Sequence, residues 1–213
     1  MNSRPRVLIA DDHTMLLEAF QRLLTPACEV VGAVLNGRAL LEAGTQLKPD
    51  VIVADVSMPL LNGLDACRQL QPKLPKTKWV FVTVNADPDV AVEAFRLGAS
   101  GYLLKSSAAA ELFTAIQRAM QGSVYITPLI TKGTPLAVFL ARKAPSQPDK
   151  LTARQREVLQ LLAEGRQMKE VSDLLGVTTR TVAFHKYAIM QELGVKSSAE
   201  LVQYAVKLGL VQP

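Results

Sequence analysis

Short apolar runs alternate with amphipathic stretches through the first 121 residues. The runs are Val7-Leu8-Ile9-Ala10, Val30-Val31-Gly32-Ala33-Val34, Val51-Ile52-Val53-Ala54, Trp79-Val80-Phe81-Val82 and Tyr102-Leu103-Leu104. Runs this continuous are what strands covered on both faces require, because both alternating sets of side chains must then be apolar. Between them lie helical stripes such as Met15, Leu16, Ala19, Phe20 and Leu23, spaced to fall on one side of a helix. Strand and helix alternating five times predict a doubly wound α/β domain with a five-stranded parallel sheet over residues 1–121. No glycine-rich dinucleotide fingerprint follows the first strand, so a nucleotide-binding reading loses its main support.

The texture changes after Gly122. Residues 122–150 hold Pro128, Pro135, Pro145 and Pro148 and read as a linker. A short helix is expected within it, with Thr134 as N-cap and Pro135 in the first turn. From Leu151 to the end at residue 213 the pattern is helical throughout. Gly165, Gly176 and Gly194 punctuate expected helices at about 151–163, 168–175, 179–192 and 198–208. The second domain is therefore expected to be all-α.

Charge sharpens this division. Residues 122–213 carry 12 Lys/Arg against 7 Asp/Glu, which is the whole of the net +5. The front half is neutral, so the back half is the one expected to meet a polyanion. Two cysteines, Cys28 and Cys67, and two distant histidines, His13 and His185, exclude a disulfide scaffold and the usual zinc ligand sets. Cys67 and Trp79 are expected in the core. With no membrane-length apolar run, the protein is expected to be soluble and cytoplasmic, with no membrane partner.

In an open parallel sheet, function gathers where the strands end. Asp11 and Asp12 follow the first strand, Asp55 the third, Thr83 ends the fourth and Lys105 follows the fifth. Converging carboxylates need a cation, and oxygen ligands suit Mg2+, which also bridges carboxylate to phosphate. An ammonium and a hydroxyl from Lys105 and Thr83 complete a cradle for a phosphoryl group on Asp55.

These residues, together with Met58-Pro59, Gly63 and the run Gly98-Ala99-Ser100-Gly101-Tyr102-Leu103-Leu104-Lys105, resemble the receiver domain of response regulators over residues 5–121. The resemblance implies a flavodoxin-like fold and phosphorylation of Asp55 by a histidine kinase. It implies Mg2+ held by Asp11, Asp12, Asp55 and the backbone carbonyl of Ser57. It also implies a switch in which Thr83 moves to the phosphoryl group and the Tyr102 ring turns into the vacated space.

The back half carries its own signature. Thr152 with Gln155 three residues on is a capping box. Two predicted helices joined at Gly176-Val177 form a helix-turn-helix. The segment 151–210 resembles the LuxR-type DNA-binding domain at Leu151-Thr152, Arg156-Glu157-Val158-Leu159, Lys169-Glu170-Val171, Leu175-Gly176-Val177, Thr181-Val182, His185 and Leu193-Gly194-Val195. A receiver followed by this domain is the layout of the NarL/FixJ response regulators. Periodicity buries Val182, Ile189 and Leu193 and turns Arg180, Ala183, Phe184, Tyr187 and Gln191 toward the major groove of double-stranded DNA. Lys169, Thr179, Thr181 and Lys186 are placed for phosphates. Ala183 offers only a methyl where related proteins often carry a long polar residue, and Tyr187 replaces a frequently basic or polar one. The last helix, with Ala199, Leu201, Val202, Ala205, Val206 and Leu208, is expected to supply a homodimer contact.

The expected function is thus a transcription regulator in which phosphorylation of Asp55 shifts dimerisation and DNA binding, with no catalytic residues and no turnover activity of its own. An aspartyl-phosphate phosphotransferase is the enzyme alternative. It is disfavoured because Ser57, not a second carboxylate, stands two residues after Asp55. A receiver acting only as a constitutive dimerisation module is disfavoured by the intact acidic set.

Overall fold

The computed structural model describes residues 4–142 and 151–211, which form two compact units. Residues 143–150, with Pro145 and Pro148 of the expected linker, and the chain ends lie outside the described residues.

In the first unit β1 (Arg6–Ala10), α1 (Thr14–Leu24), β2 (Glu29–Val34), α2 (Gly37–Leu47) and β3 (Val51–Ala54) lead into α3 (Gly63–Leu70), β4 (Lys78–Thr83), α4 (Pro88–Arg96), β5 (Ala99–Leu104) and α5 (Ala108–Met120). The strands are parallel and alternate along two faces. Val7, Ile9, Val51, Val53, Val80, Val82 and Leu103 form one cluster with Leu17, Phe20 and Leu24 of α1 and Leu112, Ala115 and Ile116 of α5. The intervening residues look the other way. Trp79 stacks on Phe81 with ring centroids 5.8 Å apart, and Trp79 and Cys67 of α3 are fully buried, as expected of core residues. The near-continuous apolar runs thus have their physical cause in helices on both sides of the sheet.

The sheet has six strands, not five, in the order β2-β1-β3-β4-β5-β6. The extra strand, β6 (Tyr125–Ile126), lies inside the segment expected to be linker. It pairs with β5 through Gly101↔Tyr125 and Tyr102↔Ile126. The Thr127 N–H donates to the Tyr102 carbonyl at 3.0 Å. The Thr127 hydroxyl accepts from the Leu104 N–H at 3.2 Å and donates to Glu111 Oε2 at 2.6 Å. These bonds cover an edge of β5 that would otherwise present unpaired backbone groups. Two short helices follow, α6 (Pro128–Thr131) and α7 (Leu136–Leu140). Both pack on α4, with Ile130 and Phe139 buried. The expected linker helix is therefore present but starts one residue late. Pro135 has an extended ψ of 137° and sits at the cap, while Thr134 lies outside.

The second unit consists of α8 (Ala153–Ala163), α9 (Met168–Leu175), α10 (Thr179–Leu193) and α11 (Ser198–Lys207). The capping box at Thr152 and Gln155 opens α8 as the sequence predicts. Val158, Leu159, Leu161, Val171, Leu175, Val182, Ile189, Leu201 and Ala205 make a single small core. No helix among the described residues is long and apolar enough to cross a membrane.

Candidate functional site

Strand order creates the first site. The chain leaves β1 toward β2 on one side and returns to β3 on the other, so a crevice opens at the carboxyl ends of β1 and β3. Pairing of Ala10 with Ala54 sets the next residues, Asp11 and Asp55, side by side. The Asp55 N–H is anchored to the Ala10 carbonyl at 2.8 Å. Likewise Thr83 pairs with Leu104, and the Lys105 N–H bonds the Thr83 carbonyl at 2.8 Å.

Asp11, Asp55 and Thr83 are buried, and Lys105 reaches over them. The Lys105 Nζ lies 2.7 Å from Asp55 Oδ2 and 2.8 Å from Asp11 Oδ2. Ser57 meets Asp55 through its backbone amide, which donates to Oδ1 at 3.1 Å. Burial pushes the Asp55 carboxyl above the ordinary value, against the pull of the Lys105 ammonium and the Ser57 amide. Burial also disfavours the Lys105 ammonium, but its hydrogen bonds to Asp11 and Asp55 outweigh this and hold its pKa up.

Three carboxylates (Asp11, Asp12, Asp55) and one ammonium leave two negative charges, −3 + 1, in a site whose possible ligand atoms lie within 4.8 Å of one another. An oxygen-rich pocket with an excess of two negative charges fits a divalent cation. His13 belongs to this group as well: its Nδ1 is 3.0 Å from Asp11 Oδ1 and 2.8 Å from Asp12 Oδ1. Sequence reasoning set His13 aside as a lone histidine, although its place directly after two aspartates was the available signal.

Thr83 and Tyr102 meet through a third residue. The Thr83 Oγ1 accepts from the Asn85 N–H at 3.1 Å, and the Tyr102 hydroxyl donates to the Asn85 carbonyl at 3.1 Å. The Tyr102 ring is fully buried, and that burial raises the pKa of its phenol. Asn85 acts through its backbone, a contribution that no residue identity could announce.

The helix-turn-helix is built at Gly176. It ends α9 in the left-handed region with φ 62°, and the Thr178 side chain then caps α10 by accepting from the Thr181 N–H. Glu170 serves the start of α9, accepting from the Gln167 N–H at 2.7 Å. On α10, Val182 and Ile189 are buried and Leu193 is half-buried; Arg180, Phe184, Tyr187 and Gln191 are exposed, and Ala183 is half-buried. Lys169 and Thr179 are exposed at the surface. The Thr181 hydroxyl lies 2.9 Å from that of Thr178, and Lys186 Nζ bonds Ser198 Oγ of α11 at 3.1 Å. On α11, Leu201 and Ala205 are consumed by the core, leaving Ala199 and Val202 exposed.

An acidic crevice at the switch point of a parallel α/β sheet, carried on the same chain as a helix-turn-helix, defines a two-domain regulator. Residues 7–117 match the response regulator receiver domain, and residues 149–205 match the bacterial regulatory proteins of the luxR family. The chain belongs to the response regulators that join a receiver domain to a LuxR-type DNA-binding domain. It is 32% identical over 208 residues to response regulator GacA of Pseudomonas aeruginosa, spanning 97% of each chain. It is 34% identical over 214 residues to the oxygen regulatory protein NreC of Staphylococcus carnosus, spanning 97% of this chain and 99% of that one. Among solved structures it is similar to RcsB from Salmonella enterica serovar Typhimurium bound to promoter rprA. That similarity has a TM-score of 0.58 and 27% identity over 94% of this chain and 98% of the other.

Proposed function

We propose that Asp55 is the phosphoacceptor of this regulator and that its phosphorylation controls dimerisation and DNA binding by the second domain in the cytoplasm. Residues 1–121 act as the phosphoacceptor domain and 151–213 as the DNA-reading domain, joined through 122–150, whose β6, α6 and α7 pack on the first of them. The observation that carries the reading is the ammonium of Lys105 between Asp55 and Asp11, in a pocket still two negative charges in excess.

The chemistry proceeds from an Asp55 oxygen attacking the phosphorus of a kinase phosphohistidine. The P–N bond breaks as the P–O bond forms, and the ring, protonated beforehand on its other nitrogen, leaves as neutral imidazole. Asp11, Asp12, Asp55 and the Ser57 carbonyl would hold Mg2+, whose charge would screen the carboxylate from the phosphoryl oxygens. Lys105 then donates to a phosphoryl oxygen. Thr83 donates to another and gives up the Asn85 amide, so Asn85, whose carbonyl accepts from the Tyr102 hydroxyl, is released to move. The phosphoryl group carries about −1.5 to −2 of charge in place of the carboxylate's single charge, so the site becomes more negative by about −0.5 to −1. A few kcal/mol of differential stabilisation is enough to shift the population toward a dimeric DNA-binding form. On the DNA side, Lys169, Thr179, Thr181 and Lys186 are assigned to phosphates and Arg180, Ala183, Phe184 and Tyr187 to base edges. The similar protein RcsB, solved bound to a promoter in the presence of the phosphomimetic BeF3−, supports DNA binding by a phosphorylated form here.

The test is incubation with Mg2+ and acetyl phosphate, read by intact mass and by binding to a promoter library, beside Asp55→Asn. One added phosphoryl group in the wild type alone, with tighter DNA binding, is expected. No modification and unchanged DNA binding would overturn the switch.

A further inference from the structure

We infer that Phe184 and Tyr187 are specificity-determining residues that read thymine methyl groups in the major groove, an inference that rests on the DNA-binding role proposed above. The two rings stand three residues apart on α10 and are 68% and 72% exposed. The core of this unit is already closed by Val182 and Ile189 of the same helix, so neither ring is needed inside. An exposed phenylalanine has no hydrogen bond to offer water, and its exposure is a standing cost that a partner surface would remove.

The neighbouring chemistry decides which surface. Arg180, Ala183, Phe184, Tyr187 and Gln191 fall on one stripe of the helix. Its middle, residues 183 to 187, presents a methyl and two aromatic rings, with the charged and amide side chains only at the two ends. Lys186, the one cation within that span, is turned toward α11 by its bond to Ser198 Oγ at 3.1 Å. The Phe184 ring is steadied edge-on by His185, with centroids 5.8 Å apart and planes at 67°, so it is held ready in a limited set of orientations. Arg180 at one end of the stripe and Lys169 on the preceding helix α9 are both exposed and supply the charge complementarity to a phosphate backbone.

A central patch without forked donors cannot make the bidentate hydrogen bonds by which Arg reads guanine or Asn and Gln read adenine. The one feature of the major groove that an apolar ring recognises is the C5-methyl of thymine, which cytosine lacks. Tyr187 adds a single hydroxyl, enough for one bond to a base or phosphate but not for a paired readout. The predicted specificity is therefore strong for thymine at the central positions of each half-site and weak for guanine there.

The experiment uses the full chain phosphorylated with acetyl phosphate and a randomised duplex library. Enriched sites should carry thymine at two or more central positions per half-site. Replacing those thymines by deoxyuridine, which removes only the methyl, should weaken binding about fourfold per methyl. Phe184→Ala and Tyr187→Ala, both at exposed positions and checked by circular dichroism for folding, should weaken binding and abolish the deoxyuridine penalty. Their salt dependence should stay unchanged, because no Lys or Arg contact to phosphate is removed. Enriched sites indifferent to deoxyuridine, or a penalty that persists in both variants, would overturn methyl readout while leaving DNA binding intact. Variants that alter dimer mass in place of base preference would reassign the rings to a protein contact and overturn it too. No enrichment by the phosphorylated chain would overturn the DNA-binding role itself, and this inference with it.

Discussion

Gly63 opens α3 directly beneath the phosphoacceptor, and Gly63→Ala is expected to disturb both stability and phosphorylation. Local preference points the other way: alanine is favoured over glycine inside a helix by up to about 1 kcal/mol. A Cβ at this position, however, would overlap the backbone carbonyl oxygen of Asp55, lie 3.1 Å from its carbonyl carbon and press on Phe81 Cε1 at 3.3 Å. None of these can step aside as the tip of a flexible side chain would. Either α3 or the Asp55 peptide must retreat by more than about 1 Å to restore ordinary contact, in a region where Asp55 is tied to Ala10. Overpacking against a rigid wall costs about 1–3 kcal/mol, so the clash outweighs the propensity gain. With so close an approach to backbone taken at the upper end, about 3 kcal/mol, the net loss is about 2 kcal/mol, or roughly 4–10 °C in Tm for a domain of this size. The same displacement moves the Asp55 carboxylate relative to Lys105, so labelling by acetyl phosphate should slow. Gly44→Ala is the matched control. There the new methyl meets only Leu70 Cδ1 at 3.0 Å and Cδ2 at 3.6 Å, with Ile52 Cδ1 at 3.9 Å, ends of side chains that can turn away. It should be near neutral by thermal unfolding and leave phosphorylation unchanged. A Gly63→Ala protein with wild-type Tm and wild-type labelling rate would refute this reasoning.

Further outcomes follow from the same geometry. Lys105→Met leaves Asp11 and Asp55 without their ammonium, and breaking a buried pair typically costs about 3–5 kcal/mol. Calorimetry should show the Tm falling, with added Mg2+ recovering more of it than in the wild type; no Mg2+ dependence in either protein would count against the cation site. Phe139→Ala removes the buried anchor of α7, but the loss should stay below about 3 kcal/mol because the segment can open locally. Hydrogen exchange should show protection lost in α6 and α7 and kept in β1 to β5. Cys28 and Cys67 are both buried, and burial raises both thiols, Cys67 to about 12. Neither should react with Ellman's reagent until the protein is unfolded, when two thiols should titrate.

Much of the site was legible because strand ends are fixed by hydrophobic runs. Once Val7 to Ala10 and Val51 to Ala54 are strands in a doubly wound sheet, Asp11, Asp12 and Asp55 must gather at its carboxyl edge. Thr83 and Lys105 follow by the same logic. The outward stripe of α10 was legible from helical periodicity alone, and the fates of Phe184 and Tyr187 agree with it. The strand β6 was not legible, since two residues carry no alternation to detect, and its existence depends on an edge of β5 that needs partners. Nor was the link between Thr83 and Tyr102, which runs through the N–H and carbonyl of Asn85 and is written in no side chain.

By itself, then, the sequence determined what repeats or chemistry can encode: the alternation of elements, the capping signals, the acidic set and the face of the reading helix. Tertiary structure alone decided the rest. It drew Lys186 away toward Ser198, buried Leu201 and Ala205 of the expected dimer helix and converted part of the linker into sheet and α4 packing. The physical reason is common to all three. Each depends on which surface lies opposite a residue after the chain has closed on itself, and that is a property of distant segments brought together rather than of any local run.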